Sequence, residues 1–157
     1  MTFDKSAVTF GHVAPVQVYF DDLDALGMLH HARFATLLDR GIDAYWRSKG
    51  YAVSASADAG DALNVVRALT LTYHHPVNEV REIFLWLWVR HLGTTSVQYG
   101  FRFVDGDGTT MFAEGTRTNV RIDPATMRPA PWSDAARADA RELLGAEGSE
   151  APELIRR

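Results

Sequence analysis

The chain has 157 residues, of which 46% are hydrophobic and 23% charged, and it contains no cysteine. That length suits one domain with a sizeable core, and the missing cysteines exclude disulfides, thiolate metal sites and a cysteine nucleophile. A formal net charge of −4, with arginines scattered along the chain, argues against a nucleic-acid partner.

Met1 to Gly11 carry no cationic segment followed by an apolar run, so no secretory signal is expected. The longest strongly apolar stretch, Ile83 to Val89, is far shorter than the ~20 residues of a membrane-spanning helix. The expectation is a soluble, cytoplasmic protein with no membrane partner.

In chain order, Val16 to Phe20 reads as a short strand stopped by the acidic turn Asp21-Asp22-Leu23-Asp24. A glycine-containing loop, Ala25 to His30, follows. Phe34, Leu37, Leu38, Gly41, Ile42, Tyr45 and Trp46 then recur at helical spacing, which predicts a helix buried along one face. It ends near Ser48-Lys49-Gly50, where Gly50 suits a left-handed cap.

Beyond residue 62 the period becomes two. Val65, Leu69, Leu71 and Tyr73 alternate with Val66, Ala68, Thr70 and Thr72, and Pro76 ends the run. Val80 to Val89 is apolar on both faces, so it needs cover on both sides. Gly93-Thr94-Thr95 turns the chain into Val97, Tyr99, Phe101 and Phe103, whose aromatic rows suit a core or a subunit interface. Asp105-Gly106-Asp107-Gly108 is a strong hairpin signal, and Thr110 to Ile122 is the last long strand. Ser133 can cap a short helix through Leu144. The expected fold is α+β, a curved antiparallel sheet wrapped around one long helix. Residues 1–144 form the single domain and 145–157 a polar, flexible tail.

The chemistry concentrates in Val18-Tyr19-Phe20-Asp21-Asp22-Leu23-Asp24-Ala25-Leu26-Gly27-Met28-Leu29-His30-His31-Ala32-Arg33-Phe34. An aromatic residue, a D-x-D pair, a glycine three residues on and a histidine entering a helix together resemble the 4-hydroxybenzoyl-CoA thioesterase family. Tyr73-His74-His75-Pro76, Thr95-Ser96, and Asn119 to Asp123 with Arg128-Pro129 extend the likeness over about residues 14–132. The resemblance implies a hotdog fold, dimerisation through the sheets, an active site shared between subunits and an acyl-CoA substrate. It assigns catalysis to the second aspartate of the pair, Asp24, and a supporting role to His31.

Independent chemistry agrees. Thioester hydrolysis needs a carboxylate as nucleophile or base, and donors for the developing oxyanion. Asp24 lies just upstream of a helix whose first amides, near His31 and Ala32, have no intrahelical acceptor. Gly27 is expected at positive φ or against substrate; the resemblance places His30, where relatives have an aromatic residue, beside the acyl group, and Arg90, Thr95 and Ser96 are expected against the pantetheine or phosphates of CoA at a subunit boundary. Asp22 is read as holding the loop through backbone amides. Asp39, paired with Arg40, is the reserve catalytic carboxylate.

His74 and His75 with His30 and His31 do not make a metal site, because neighbours on a strand point to opposite faces. Neither metal nor cofactor is expected. An acyl-carrier-protein thioesterase and a non-catalytic acyl-CoA-binding protein are the alternatives. A hydratase ranks behind them, since its D-x-N-P-x-H entry is missing. A homodimer or homotetramer is expected, because a wrapped sheet leaves an edge that a partner can cover.

Overall fold

A computed structural model describes residues 2–4, 6, 8–51 and 60–145. Five antiparallel strands form one sheet: β1 (His12–Val18), β2 (Asn64–Tyr73), β3 (Arg81–Leu92), β4 (Ser96–Val104) and β5 (Met111–Arg121). Their spatial order is β1-β3-β4-β5-β2, which leaves β1 and β2 at the two edges. The helices are α1 (Arg33–Ser48) and α2 (Asp134–Arg141).

Helix α1 buries the predicted stripe, Phe34, Leu37, Leu38, Gly41, Ile42 and Tyr45. These pack with Ile83, Leu85, Leu87, Tyr99, Phe101 and Phe103 from one face of the sheet. Each fully buried Leu or Phe contributes about 1.5–3 kcal/mol, so the single stripe holds the helix in place. The helix ends at Lys49, and Gly50 follows at a φ of +90°. This is the helix-in-sheet layout expected from the alternating and helical periods.

The opposite face of β3 carries Phe84, Trp86 and Trp88, and its cover comes from the N-terminal residues. Phe10 lies 5.3 Å from the Trp86 ring and 5.9 Å from Trp88, while Phe3 lies 5.3 Å from Phe84. Trp86 Nε1 also donates to the Phe10 carbonyl at 3.1 Å. The two-faced apolar strand is therefore sandwiched between α1 and the chain's own start.

Three boundaries differ from expectation. The first strand begins at His12 and ends at Val18. It includes Pro15, which an edge strand tolerates because the missing N–H is needed by no neighbour. Phe20–Asp22 form a short 3-10 turn instead of extending that strand. Helix α2 stops at Arg141, earlier than Leu144, although Ser133 caps it as expected by accepting the Ala136 N–H at 3.1 Å. Beyond it Val89 donates to the Leu143 carbonyl at 2.8 Å, and Gly145 donates back to Val89 at 3.1 Å. The chain there runs along the edge of β3 past the start of β1, through a parallel bridge between Val89 and Leu144. Residues 146–157 lie outside the described part. No helix among the described residues is long and apolar enough to cross a membrane.

Candidate active site

The segment after β1 folds back on itself as a small hairpin. His30 donates its N–H to the Asp22 carbonyl at 2.9 Å, Leu23 and Leu29 form an antiparallel bridge, and Asp24 donates to Met28 at 2.7 Å. Gly27 N–H closes the tip on the Asp24 carbonyl at 2.9 Å. Asp22, only 3% exposed, holds the base of the loop: its carboxylate accepts the Tyr19 N–H at 2.9 Å and faces Arg33 Nε at 3.7 Å. Leu29 N–H donates to the Val77 carbonyl at 2.7 Å, which fixes the hairpin beside the start of β3.

Gly27 adopts a φ of +74°, as expected. A Cβ there would meet nothing within 4 Å, so the requirement is conformational, not spatial. Gly27→Ala is expected to cost about 1–2 kcal/mol, the penalty of a left-handed non-glycine residue. Thermal melting measures it, and an unchanged midpoint would mean the turn relaxes freely.

Asp24 is half-buried, and its carboxylate is anchored on one side only. Oδ1 accepts the Leu26 N–H at 2.8 Å and the Met28 N–H at 3.2 Å. Oδ2 has no hydrogen-bond partner among the described residues. A carboxylate gripped by one oxygen and open at the other is oriented yet still able to accept a proton or attack a carbonyl.

His30 organises the turn that leads into α1. Its Nδ1 accepts the Ala32 N–H at 3.1 Å and its carbonyl accepts the Arg33 N–H at 2.8 Å. The side chain thus closes the turn just ahead of Ala32, the N-cap residue of α1, in the manner of a capping group. The Ala32 amide, expected among the oxyanion donors, is thus engaged by the His30 ring. The His31 N–H is left without a partner among the described residues. His31 stacks on His30 with ring centroids 4.1 Å apart, and its carbonyl accepts the Tyr73 hydroxyl at 3.0 Å. Tyr73, read from sequence only as the end of a strand, therefore braces the helix entry from β2.

His30→Ala should cost about 1 kcal/mol as a lost cap, and His30→Asn should restore most of it, since an Asn oxygen can accept the same amide. Comparing the two melting midpoints checks this. Equal midpoints would remove the capping role.

Thr95 and Ser96 are not part of this group. Thr95 lies in the turn between β3 and β4 and Ser96 opens β4; Thr95 O accepts the Arg121 N–H at 2.9 Å and Ser96 O accepts the Gly93 N–H at 2.8 Å. The Asp24 hairpin abuts the other end of β3, and the strand's length separates the two by roughly 35–40 Å. Within one chain the two groups are therefore far apart, and a ligand shared by them would cross a subunit boundary.

Asp39 pairs with Arg117 of β5, not with Arg40. That pair borders a cavity of about 440 Å³ beside the later turns of α1, whose lining includes Asp43, Trp46, Tyr99 and Trp132. None of Asp24, His30 and His31 lines it. His74 pairs with Glu114 at 3.1 Å and His75 Nδ1 lies 3.0 Å from the Met111 carbonyl, apart from the hairpin histidines. No group of three or more metal-ligating side chains gathers among the described residues.

A helix laid in an antiparallel sheet, with an acidic hairpin at its capped start, defines a class of protein that comparisons make specific. Residues 26–112 match the family model described as the thioesterase superfamily. The acyl-CoA thioester hydrolase YbgC of Escherichia coli is 27% identical over 115 residues, covering 73% of this chain and 84% of that protein. The structure of PA5185 from Pseudomonas aeruginosa superposes with a TM-score of 0.77 at 22% identity, covering 88% of this chain and 94% of that one. A thioesterase from Thermus thermophilus, solved with coenzyme A and Zn, superposes at 0.70 with 24% identity, covering 88% and 98% of the two chains. The chain belongs to the thioesterase superfamily, and its fold is the hotdog fold.

Proposed function

We propose that this protein is an acyl-CoA thioesterase that hydrolyses an acyl thioester to the free acid and CoA. The observation that carries this reading is the one-sided anchoring of Asp24, with Oδ2 unpartnered among the described residues two hairpin rungs from the capped start of α1. Oδ2 either attacks the thioester carbonyl or takes a proton from the attacking water. The carbonyl oxygen gains charge and is received by the His31 N–H, aided by the positive end of the helix. Collapse of that adduct breaks the carbon–sulfur bond, and the thiolate leaves to take up a proton; attack by water gives the free acid directly, whereas attack by Oδ2 leaves a mixed anhydride on Asp24 that a water then hydrolyses to the free acid and the restored carboxylate. The name of the Escherichia coli relative and the coenzyme A held by the Thermus protein support the choice of acyl-CoA.

The assembly proposed with it is a homodimer joined along β2. This ten-residue edge strand is exposed over most of its length, with Val66 50% and Tyr73 48% accessible. A long exposed edge strand demands cover, and a second copy related by a two-fold axis supplies a matching antiparallel strand.

Purified protein offered straight-chain, branched and aromatic acyl-CoAs should release free thiol from at least one class. Acyl carrier protein thioesters serve as the competing substrate. Coenzyme A binding with no thiol release from any thioester would instead mark a non-catalytic binding protein.

A further inference from the structure

We infer that Tyr73 is a positioning residue for thioester hydrolysis: by holding the His31 carbonyl, its hydroxyl fixes the direction of the His31 N–H that receives the oxyanion. This inference rests on the thioesterase reading above and names what aims its donor.

The run from Leu29 to Arg33 spares a single amide. Leu29 N–H donates to the Val77 carbonyl at 2.7 Å, His30 N–H to the Asp22 carbonyl at 2.9 Å and Arg33 N–H to the His30 carbonyl at 2.8 Å. Ala32 N–H goes to His30 Nδ1 at 3.1 Å. Within that run the His31 N–H alone has no acceptor among the described residues. A spared amide serves catalysis only if it is already aimed, because a donor that must reorient as charge develops loses much of its worth.

The aim comes from the two peptide planes that meet at His31. A peptide unit is flat, so an N–H points where its plane points, and adjacent planes are joined by two soft dihedrals. The plane before His31 is pinned at its oxygen by the Arg33 N–H. The plane after it is gripped at both ends, its N–H by His30 Nδ1 and its oxygen by the Tyr73 hydroxyl at 3.0 Å. The His30 grip moves with the turn, since ring and amide are two residues apart. The Tyr73 grip comes from β2, 42 residues away, and ties this plane to the sheet.

The hydroxyl is itself fixed from below. Tyr73 pairs with Ala113 of β5, its ring meets Phe34 at 5.5 Å, and Phe34 meets Phe103 at 5.3 Å. Both phenylalanines are buried. Tyr73→Phe therefore keeps the ring contacts and deletes only the hydrogen bond.

The test uses the full chain and the acyl-CoA that wild type hydrolyses fastest among straight-chain, branched and aromatic thioesters. A donor aimed at developing charge acts more on the transition state than on bound substrate. Tyr73→Phe should therefore lower kcat roughly 10-fold with KM held within about 2-fold. That is a fraction of the roughly 10²–10³-fold loss when such a donor is removed outright. The melting midpoint should fall by no more than about 2–4 °C. Thr70→Val is the control, because Thr70 Oγ1 lies 2.9 Å from Thr116 Oγ1 and accepts the Thr116 N–H at 2.9 Å on the same strand pair. It should keep kcat.

A spectrum supplies the second measurement. Asp24→Asn is slow enough to hold a thioester with an isotope-labelled carbonyl, and adding Tyr73→Phe should raise that carbonyl's infrared stretch as the donor loosens. If Tyr73→Phe melts too early for kinetics, the stretch, read on folded protein below the midpoint, decides. An unchanged kcat, a loss confined to KM, an unmoved stretch, or an equal kcat loss in Thr70→Val overturns the proposal. A wild type inert on every thioester overturns the thioesterase reading itself, and this inference with it.

Discussion

Asp24→Asn is expected to lower thioester turnover by about 10²–10⁴-fold, the usual contribution of a positioned acid–base group, while the fold stays intact. The clean separation follows from how the carboxylate is held. Oδ1 accepts two backbone amides, from Leu26 and Met28. An Asn carbonyl oxygen accepts the same two, so the turn survives. What the substitution removes is the negative charge and the basicity of the second oxygen. Steady-state thiol release gives the rate, and a melting curve gives the fold. A variant with normal turnover would transfer the chemistry to another group, with Asp39 next in line. A variant that is inactive because it melts early would say nothing of catalysis, and Asp24→Ser, which keeps a short acceptor for the turn, then separates the two effects.

Gly115→Ala should be the most damaging small substitution in the sheet, costing about 3 kcal/mol at the upper end of overpacking. Gly115 sits on β5 opposite Leu71 of β2. An added methyl would overlap the Thr70 carbonyl oxygen and come within 3.0 Å of the Phe101 ring. The first obstacle is main chain and the second a fully buried ring, so neither yields cheaply. The strand must instead move away, and the Thr116 N–H bond to Thr70 Oγ1 at 2.9 Å goes with it. For a domain of this size the melting midpoint should fall by roughly 6–12 °C. Because β2 is also the edge proposed to meet the partner, size-exclusion chromatography should show a shift toward monomer. A midpoint within a degree or so of wild type would mean that β5 and β2 are less tightly apposed than their register implies.

Much of the fold is legible in the sequence because its signals are local. The spacing of Phe34, Leu37, Leu38, Ile42 and Tyr45 needs only one helix to explain it, and Asp105 to Gly108 needs only one hairpin. Ser133 announces its helix by being a good cap. The two-faced apolar run from Ile83 to Val89 implies a second cover, though not that Phe3 and Phe10 provide it. Long-range facts are not readable. The order of strands sets Thr95 and Ser96 at the far end of β3 from Asp24, and nothing in the neighbouring sequence marks which end is which. Asp39 and Arg117 are separated by about half of the chain, so Arg40 looks the nearer partner. His30 misleads for a different reason: histidine is not among the usual capping residues, so its ring suggests a substrate contact and the Ala32 amide looks free. The tyrosine at the end of β2 is visible only as a family marker, while its brace on His31 requires the fold.

The aromatic row on the outer side of β3 has an implication for how larger assemblies form. A sheet of this kind has two broad surfaces, and here one is filled by the helix while the other is already occupied by Phe3 and Phe10 seated on Phe84, Trp86 and Trp88. Stacking two such molecules back to back therefore becomes a competition: the visiting surface must evict the host's own leading residues before any contact is gained.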